Sequence, residues 1–283
     1  FRGVEKFAPW VNRIYFVTCG HIPPWLNTSH PKLKLIRHSD YMKPEYLPTF
    51  NINSIELNFH RIPELSEQFV YFNDDMFLID SVRPEDFFKN GFPCDCCIET
   101  ALVQDNIRNP FANILMNDAA LVNMHYNKKE VIKKQAKKWF SPAYGAMLFR
   151  NVLMLPYREF SSFKYSHLPS PFLKATYWKV WDEEGAVLDE VCKNRFRTVF
   201  DVNQYVMKYW QYMEGKFTPQ SSKLGRFYTI GKHDQQIHHT IRRQACKMIC
   251  LNDDVNVGDF EKQKKEIQRS FEVIFPEKSS FEM

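Results

Sequence analysis

The sequence predicts an α/β fold, with a mixed sheet in the first third (about residues 1–110) and a largely helical remainder (about 111–283). Two patterns predict it. Between residue 11 and about 82, short runs rich in β-branched and aromatic side chains alternate with connectors: NRIYFVT, LKLIRH and QFVYFNDDMFLI, with a helix-like INSIELNFHRI before the last. Strands alternating with helices call for crossover connections. Further on, apolar residues recur at three- and four-residue steps, the period of a packed helix. The chain's 283 residues, 44% hydrophobic and 25% charged, suffice for a large core and exclude a disordered chain or a disulfide-stapled miniprotein. One continuous body, 1–283, is expected.

In chain order, FRGVEKFAPW reads as a helix already under way, so an upstream segment is expected to be missing. A strand follows with Ile14 and Phe16 on one face. Residues 112–140 turn helical through Leu115, Ala119 and Val122, then Val131, Gln135 and Trp139. Pro169 and Pro171 keep YSHLPSPFLK extended before two helices, LKATYWKVWDEEGAVLDEVCKNRF and DVNQYVMKYWQYMEGK. In the tail, Asp259 is placed to cap a helix that buries Phe260, Ile267, Phe271 and Ile274.

No run approaches 18 apolar residues, so no membrane-spanning segment is expected. Seven cysteines, three crowded into PCDCC, fit neither a secreted disulfide framework nor a paired zinc motif and read as reduced thiols. The net charge of +5 equals that of residues 128–138, KKEVIKKQAKK; the remainder balances. With Val131, Ile132, Ala136 and Trp139 on one side, this segment reads as a basic amphipathic helix.

Several constellations could carry chemistry. In QFVYFNDDMFL an apolar strand is interrupted by Asn73-Asp74-Asp75. Paired acids at the carboxyl end of a strand either form a polar turn or hold Mg²⁺ or Mn²⁺ against the phosphates of a nucleotide-sugar. In a helix over 53–62, Glu56 and His60 share a face one turn beyond Asn53, either solvated or orienting a sugar. His167, in a Pro-stiffened segment, is either structural or a base toward an attacking hydroxyl. Arg195 and Arg197 offer guanidinium forks to phosphate, or pair with Asp201. Asn252-Asp253-Asp254 ends another apolar run. HDQQIHHTIRR lacks the paired-His spacing of a helical zinc site.

Taken in order, APWVNRIYFVTCGHIPPWLN, LPTFNINSIELNFHRIPELSEQFVYFNDDMF, YSHLPSPFLK, NRFRTVFD, KMICLNDD and FPEKSSFE resemble the characteristic regions of the Stealth family of sugar-phosphate transferases. The resemblance implies a nucleotide-sugar-transferase-like sheet in a single catalytic domain. It also implies an earlier region, absent here, that contributes to donor binding. Where Cys19 stands, the family usually has Asp.

The implied activity is transfer of a sugar 1-phosphate from a nucleotide-sugar to a hydroxyl of a growing capsular or cell-surface glycan, with release of a nucleoside monophosphate. The implied roles are His167 as base, Asp74 and Asp75 as ligands of Mg²⁺ or Mn²⁺ or as orienting acids, and Arg2, Arg195 and Arg197 on the diphosphate. Asn53, Glu56 and His60 would hold the donor sugar, and Asn252 and Asp253 would complete the cleft. No organic cofactor is expected. The rival readings are a glycosyltransferase attacking the anomeric carbon and a non-catalytic glycan-binding protein. Segment 128–138 would meet an anionic glycan acceptor or the anionic inner face of the bacterial membrane, with the protein cytoplasmic or peripheral there. Nucleic acid is not an expected partner.

Overall fold

A computed structural model describes residues 1–104, 106, 109–253 and 259–283. The strands are β1 (Ile14–Thr18), β2 (Leu33–Arg37), β3 (Gln68–Tyr71), β4 (Met76–Leu78), β5 (Phe88–Lys89), β6 (Phe92–Asp95), β7 (Ser170–Leu173), β8 (Thr218–Pro219), β9 (Gly225–Thr229) and β10 (Met248–Asn252). The helices are α1 (Arg2–Phe7), α2 (Ile52–Leu57), α3 (Phe111–His125), α4 (Lys128–Lys134), α5 (Ala136–Trp139), α6 (Leu148–Leu153), α7 (Lys174–Lys193), α8 (Tyr205–Glu214), α9 (Asp234–Arg242) and α10 (Phe260–Ile274).

The α/β class holds, but the strands are not confined to the first third. They form small sheets: parallel β1–β2, antiparallel β3–β7, β5–β6–β8, and β4–β10–β9 with β10 antiparallel to β4 and parallel to β9. β1 and β2 pair with each other, whereas β3, β4 and β6 take partners from beyond residue 169.

Two large apolar clusters result. One gathers Leu57, Tyr71, Trp139, Phe172, Tyr177 and Trp210 around α3, α7 and α8. The other gathers Phe7, Leu78, Ile237, Met248, Ile249 and Ile274 around β4, β9, β10, α9 and α10. At Gly3 a Cβ would lie 2.5 Å from Leu78 O, so α1 sits against β4 at a distance only glycine permits. The tail helix starts as expected, with Asp259 Oδ1 accepting from Lys262 N at 3.0 Å, although Phe260 is exposed.

The basic segment is not one amphipathic helix. It breaks at Gln135, and Ala136 faces solvent. Lys128 is buried, its Nζ 2.7 Å from Glu99 Oε1 and 2.8 Å from Met154 O. Lys138 donates to the carbonyls of Gly215 and Phe217. Only Lys129, Lys133, Lys134 and Lys137 face outward. Among the described residues no helix is long and apolar enough to cross a membrane, and the seven cysteines are free.

Candidate active site

A cleft of about 930 Å³ opens between the two clusters. The turn between β3 and β4 puts Asn73, Asp74 and Asp75 on its floor, and the extended segment before β7 brings His167 opposite. His167 Nε2 lies 3.1 Å from Asp75 Oδ2, and the Cys250 thiol on β10 donates to the same oxygen at 3.1 Å. Tyr165, stacked at 5.6 Å, and Phe227, edge-on at 6.2 Å, flank the imidazole. Burial of Asp75 raises its carboxyl, but the His167 and Cys250 hydrogen bonds and the His167 charge outweigh it and hold the group below the ordinary value. An ionised Asp75 accepting from Nε2–H leaves Nδ1 as the ring nitrogen that can take a proton. No other residue than Asp75 and Asn73 hydrogen-bonds the ring among the described residues.

A second chain of polar groups runs inward. Tyr71 Oη reaches both Glu56 Oε1 and Asn73 Oδ1. One hydroxyl proton serves only one acceptor, so a proton on Glu56 completes the pair. That agrees with the carboxyl's state: burial pushes it up to about 7, against the lowering by Tyr71, Arg197 and His167. Asn73 Nδ2 then lies 3.5 Å from His167 Nε2, at the limit of a hydrogen bond.

The expected site residues divide. Asn53, Glu56, Asp74, Asp75, His167, Arg197, Asn252 and Asp253 all line the cleft; Asp254 lies outside the described residues. Three do not line it. Arg2 binds Glu282 through two hydrogen bonds, 2.7 and 2.6 Å, and tethers the two chain ends. His60 falls beyond the end of α2, in a 3₁₀ turn, so it does not share a face with Glu56. It packs among Tyr177, Trp178 and Trp181, where burial, then Arg61 and Lys174, press its imidazole down to about 3. Arg195 is exposed outside the cleft.

Asp201 pairs with neither arginine. Its buried carboxylate accepts from Asn51 and Asn53 at 2.8 and 3.0 Å on Oδ2, and from Asn194 and Thr198 at 3.0 and 2.7 Å on Oδ1. It thus fixes α2 to the loop that carries Arg197.

Sequence reasoning passed over Tyr71, Cys250 and Lys264, the last reaching the cleft from α10. Tyr71 and Cys250 sit in apolar strands and look like core. The three-residue step from Lys264 to Ile267, on the apolar side of α10, was a signal for the lysine. In the His-rich helix α9, His238 Nδ1 meets Ser270 Oγ at 2.9 Å, joining α9 to α10.

Two donor sets could hold a cation. Asp75, His167 and Cys250 bring one ligand atom each within 4.8 Å of one another, a nitrogen–sulfur–oxygen set suited to zinc. For a hard ion such as Mg²⁺, Asp75 Oδ1 is buried without a hydrogen-bond partner, beside the exposed carboxylate of Asp74. Carboxylate oxygens are the donor type that Mg²⁺ and Mn²⁺ take.

Residues 1–94 match the Stealth protein conserved region 2, and residues 239–283 match conserved region 4. The whole chain also aligns, at 40% identity over 282 residues, with a capsular polysaccharide phosphotransferase WcwK of Streptococcus pneumoniae, covering 84% of it. The chain belongs to the Stealth family. Two other relatives align with all of it: the receptor polysaccharide phosphotransferase WefC of Streptococcus gordonii, 38% identical with 84% covered, and the exopolysaccharide phosphotransferase cps2G of Lactiplantibacillus plantarum, 37% identical with 83% covered. Conserved region 2 contributes Asn53, Glu56, Asp74 and Asp75 to the cleft, and conserved region 4 contributes Cys250, Asn252 and Lys264 around it. His167 and Arg197 come from the stretch between.

Proposed function

We propose that the protein is a phosphotransferase of polysaccharide synthesis that moves a sugar 1-phosphate from a nucleotide-sugar, such as a UDP-N-acetylhexosamine, to a hydroxyl of a capsular or cell-surface glycan. The observation that carries the reading is His167, held at Nε2 by the ionised Asp75 on the floor of a cleft lined by both acidic and basic side chains. The acceptor hydroxyl gives its proton to His167 Nδ1 as its oxygen attacks the phosphorus next to the sugar. The new P–O bond forms in line with the breaking bond to the departing nucleoside monophosphate, a reaction that needs positioning and charge neutralisation more than covalent help. Arg197 and Lys264 face the diphosphate, while Asn53 and Glu56 hold the donor sugar through hydrogen bonds.

Asp74 and Asp75 Oδ1 would hold Mg²⁺ or Mn²⁺, which when bound neutralises phosphate charge. The outward Lys129, Lys133, Lys134 and Lys137 offer a surface for an anionic glycan acceptor.

The released nucleotide tests the reading. With a UDP-sugar, Mg²⁺ and a competent acceptor, sugar-phosphate transfer releases UMP and leaves a phosphodiester. Release of UDP alone would mean attack at the anomeric carbon and overturn the assignment. His167→Ala is expected to lower turnover by about 10²–10⁴-fold with folding intact, the range for losing a general base.

A further inference from the structure

The cleft leaves unexplained the apolar surface beside its mouth. Phe50, Phe196 and Phe200 are 72%, 66% and 83% exposed. The Phe50 and Phe196 rings stack at 5.4 Å, and Phe50 N donates to Arg195 O at 2.8 Å. Asp201 anchors the loop that carries Phe196 and Phe200 through hydrogen bonds from Asn194 and Thr198. Asn117 of α3 donates to the carbonyls of Val199 and Asp201, so this helix adjoins the loop. On the exposed side of α3, Met116 and Met124 lie 56% and 72% exposed with Ala120 between, and its one acid, Asp118, is buried. A solvent-facing helix ordinarily carries charge on that side.

Contiguous apolar surface of this kind marks a docking site. Phe, Val and Met bring hydrocarbon without hydrogen-bonding atoms. Arg195 and Arg197 alternate with Phe196, and neither pairs with a carboxylate among the described residues. Hydrocarbon edged by the exposed guanidinium of Arg195 complements acyl chains beneath anionic headgroups.

We propose that Phe50, Phe196, Val199 and Phe200, extended by Met116 and Met124 of α3 and edged by Arg195, dock the protein on an anionic lipid bilayer. Arg197 belongs both to this loop and to the cleft, so docking there would set the mouth of the cleft beside the membrane surface. Arg195, which does not reach the cleft, acquires a headgroup to bind.

Co-sedimentation with vesicles tests this without reference to catalysis, so its failure would leave the transferase reading standing. The full chain is expected to pellet with vesicles of phosphatidylglycerol and phosphatidylcholine, and less with phosphatidylcholine alone. Binding by the double variant Phe196→Ser, Phe200→Ser should fall by about tenfold or more, because two inserting rings are lost. Replacing Lys129, Lys133, Lys134 and Lys137 by Gln should leave most of the binding in place. Absence of binding by the unmodified chain, equal binding by the double variant, or equal binding to neutral vesicles would overturn the proposal. So would a dimer in size-exclusion chromatography that the double variant dissolves, since the occupant would then be a second copy.

Discussion

Glu56 shows how one buried side chain links site and stability. Its carboxyl titrates near 4.5 when unfolded and near 7 in the fold, burial being the main cause. Below pH 4.5 both states hold the proton and no penalty arises. Between pH 4.5 and 7 the unfolded chain releases its proton first, so stability falls as pH rises; above 7 the cost is complete, about 3 kcal/mol. Glu56→Gln keeps a polar partner for Tyr71 without that titration. Its urea midpoint should match the unmodified protein near pH 4 and exceed it at pH 8; equal midpoints at both would show that Glu56 is not held protonated. Residues of the site were legible where chemistry broke a pattern. Asp74 and Asp75 interrupt an apolar run, and His167 sits between residues that stiffen the chain. Tyr71 and Cys250 conform to their strands, so only tertiary placement reveals their partners. Arg2 and His60 failed for the opposite reason: polar in sequence, they are spent on a chain-end tether and an aromatic pocket.

At the level of elements, periodicity located α3, α7 and α10, each of which packs one side and exposes another, and also α8, which is buried all round from Tyr205 to Met213. Strand partners were not legible, since β3 finds β7 about a hundred residues away and no local pattern encodes that pairing. The lysine run misled similarly. Nothing near Lys128 marks it as different from Lys133, yet Glu99, 29 residues upstream, draws it into the core as an ion pair. Removing one partner of a buried pair strands the other charge, so Lys128→Met should cost about 3–5 kcal/mol. Lys133→Gln, on the exposed side, should stay within about 0.5 kcal/mol. Chemical denaturation of both variants checks the contrast, and equal effects would mean that the Lys128–Glu99 pair is not formed.

For the whole molecule, the cleft is where two separately packed clusters meet. Strand β3 gives Tyr71 to one cluster, while Val70 and Phe72 lean on the other; Asp74 and Asp75 follow in the turn toward β4, which belongs to the second. His167, set between Tyr165 of the first cluster and Leu168 of the second, meets Asp75 at that boundary, while Cys250 reaches Asp75 from β10, the partner of β4 in the second cluster. A donor bound across this boundary touches both halves at once and stabilises only the state in which they are apposed. At a ligand concentration about 100 times Kd, the gain is about 2.7 kcal/mol. In a chain of this size that raises Tm by about 5 °C or more. A UDP-sugar with Mg²⁺ should give such a shift in a thermal melt, and Asp75→Asn should reduce it, because the variant weakens the grip on both His167 and the cation. A full shift in Asp75→Asn would place the donor away from the turn between β3 and β4 and would separate the binding site from the groups assigned to catalysis.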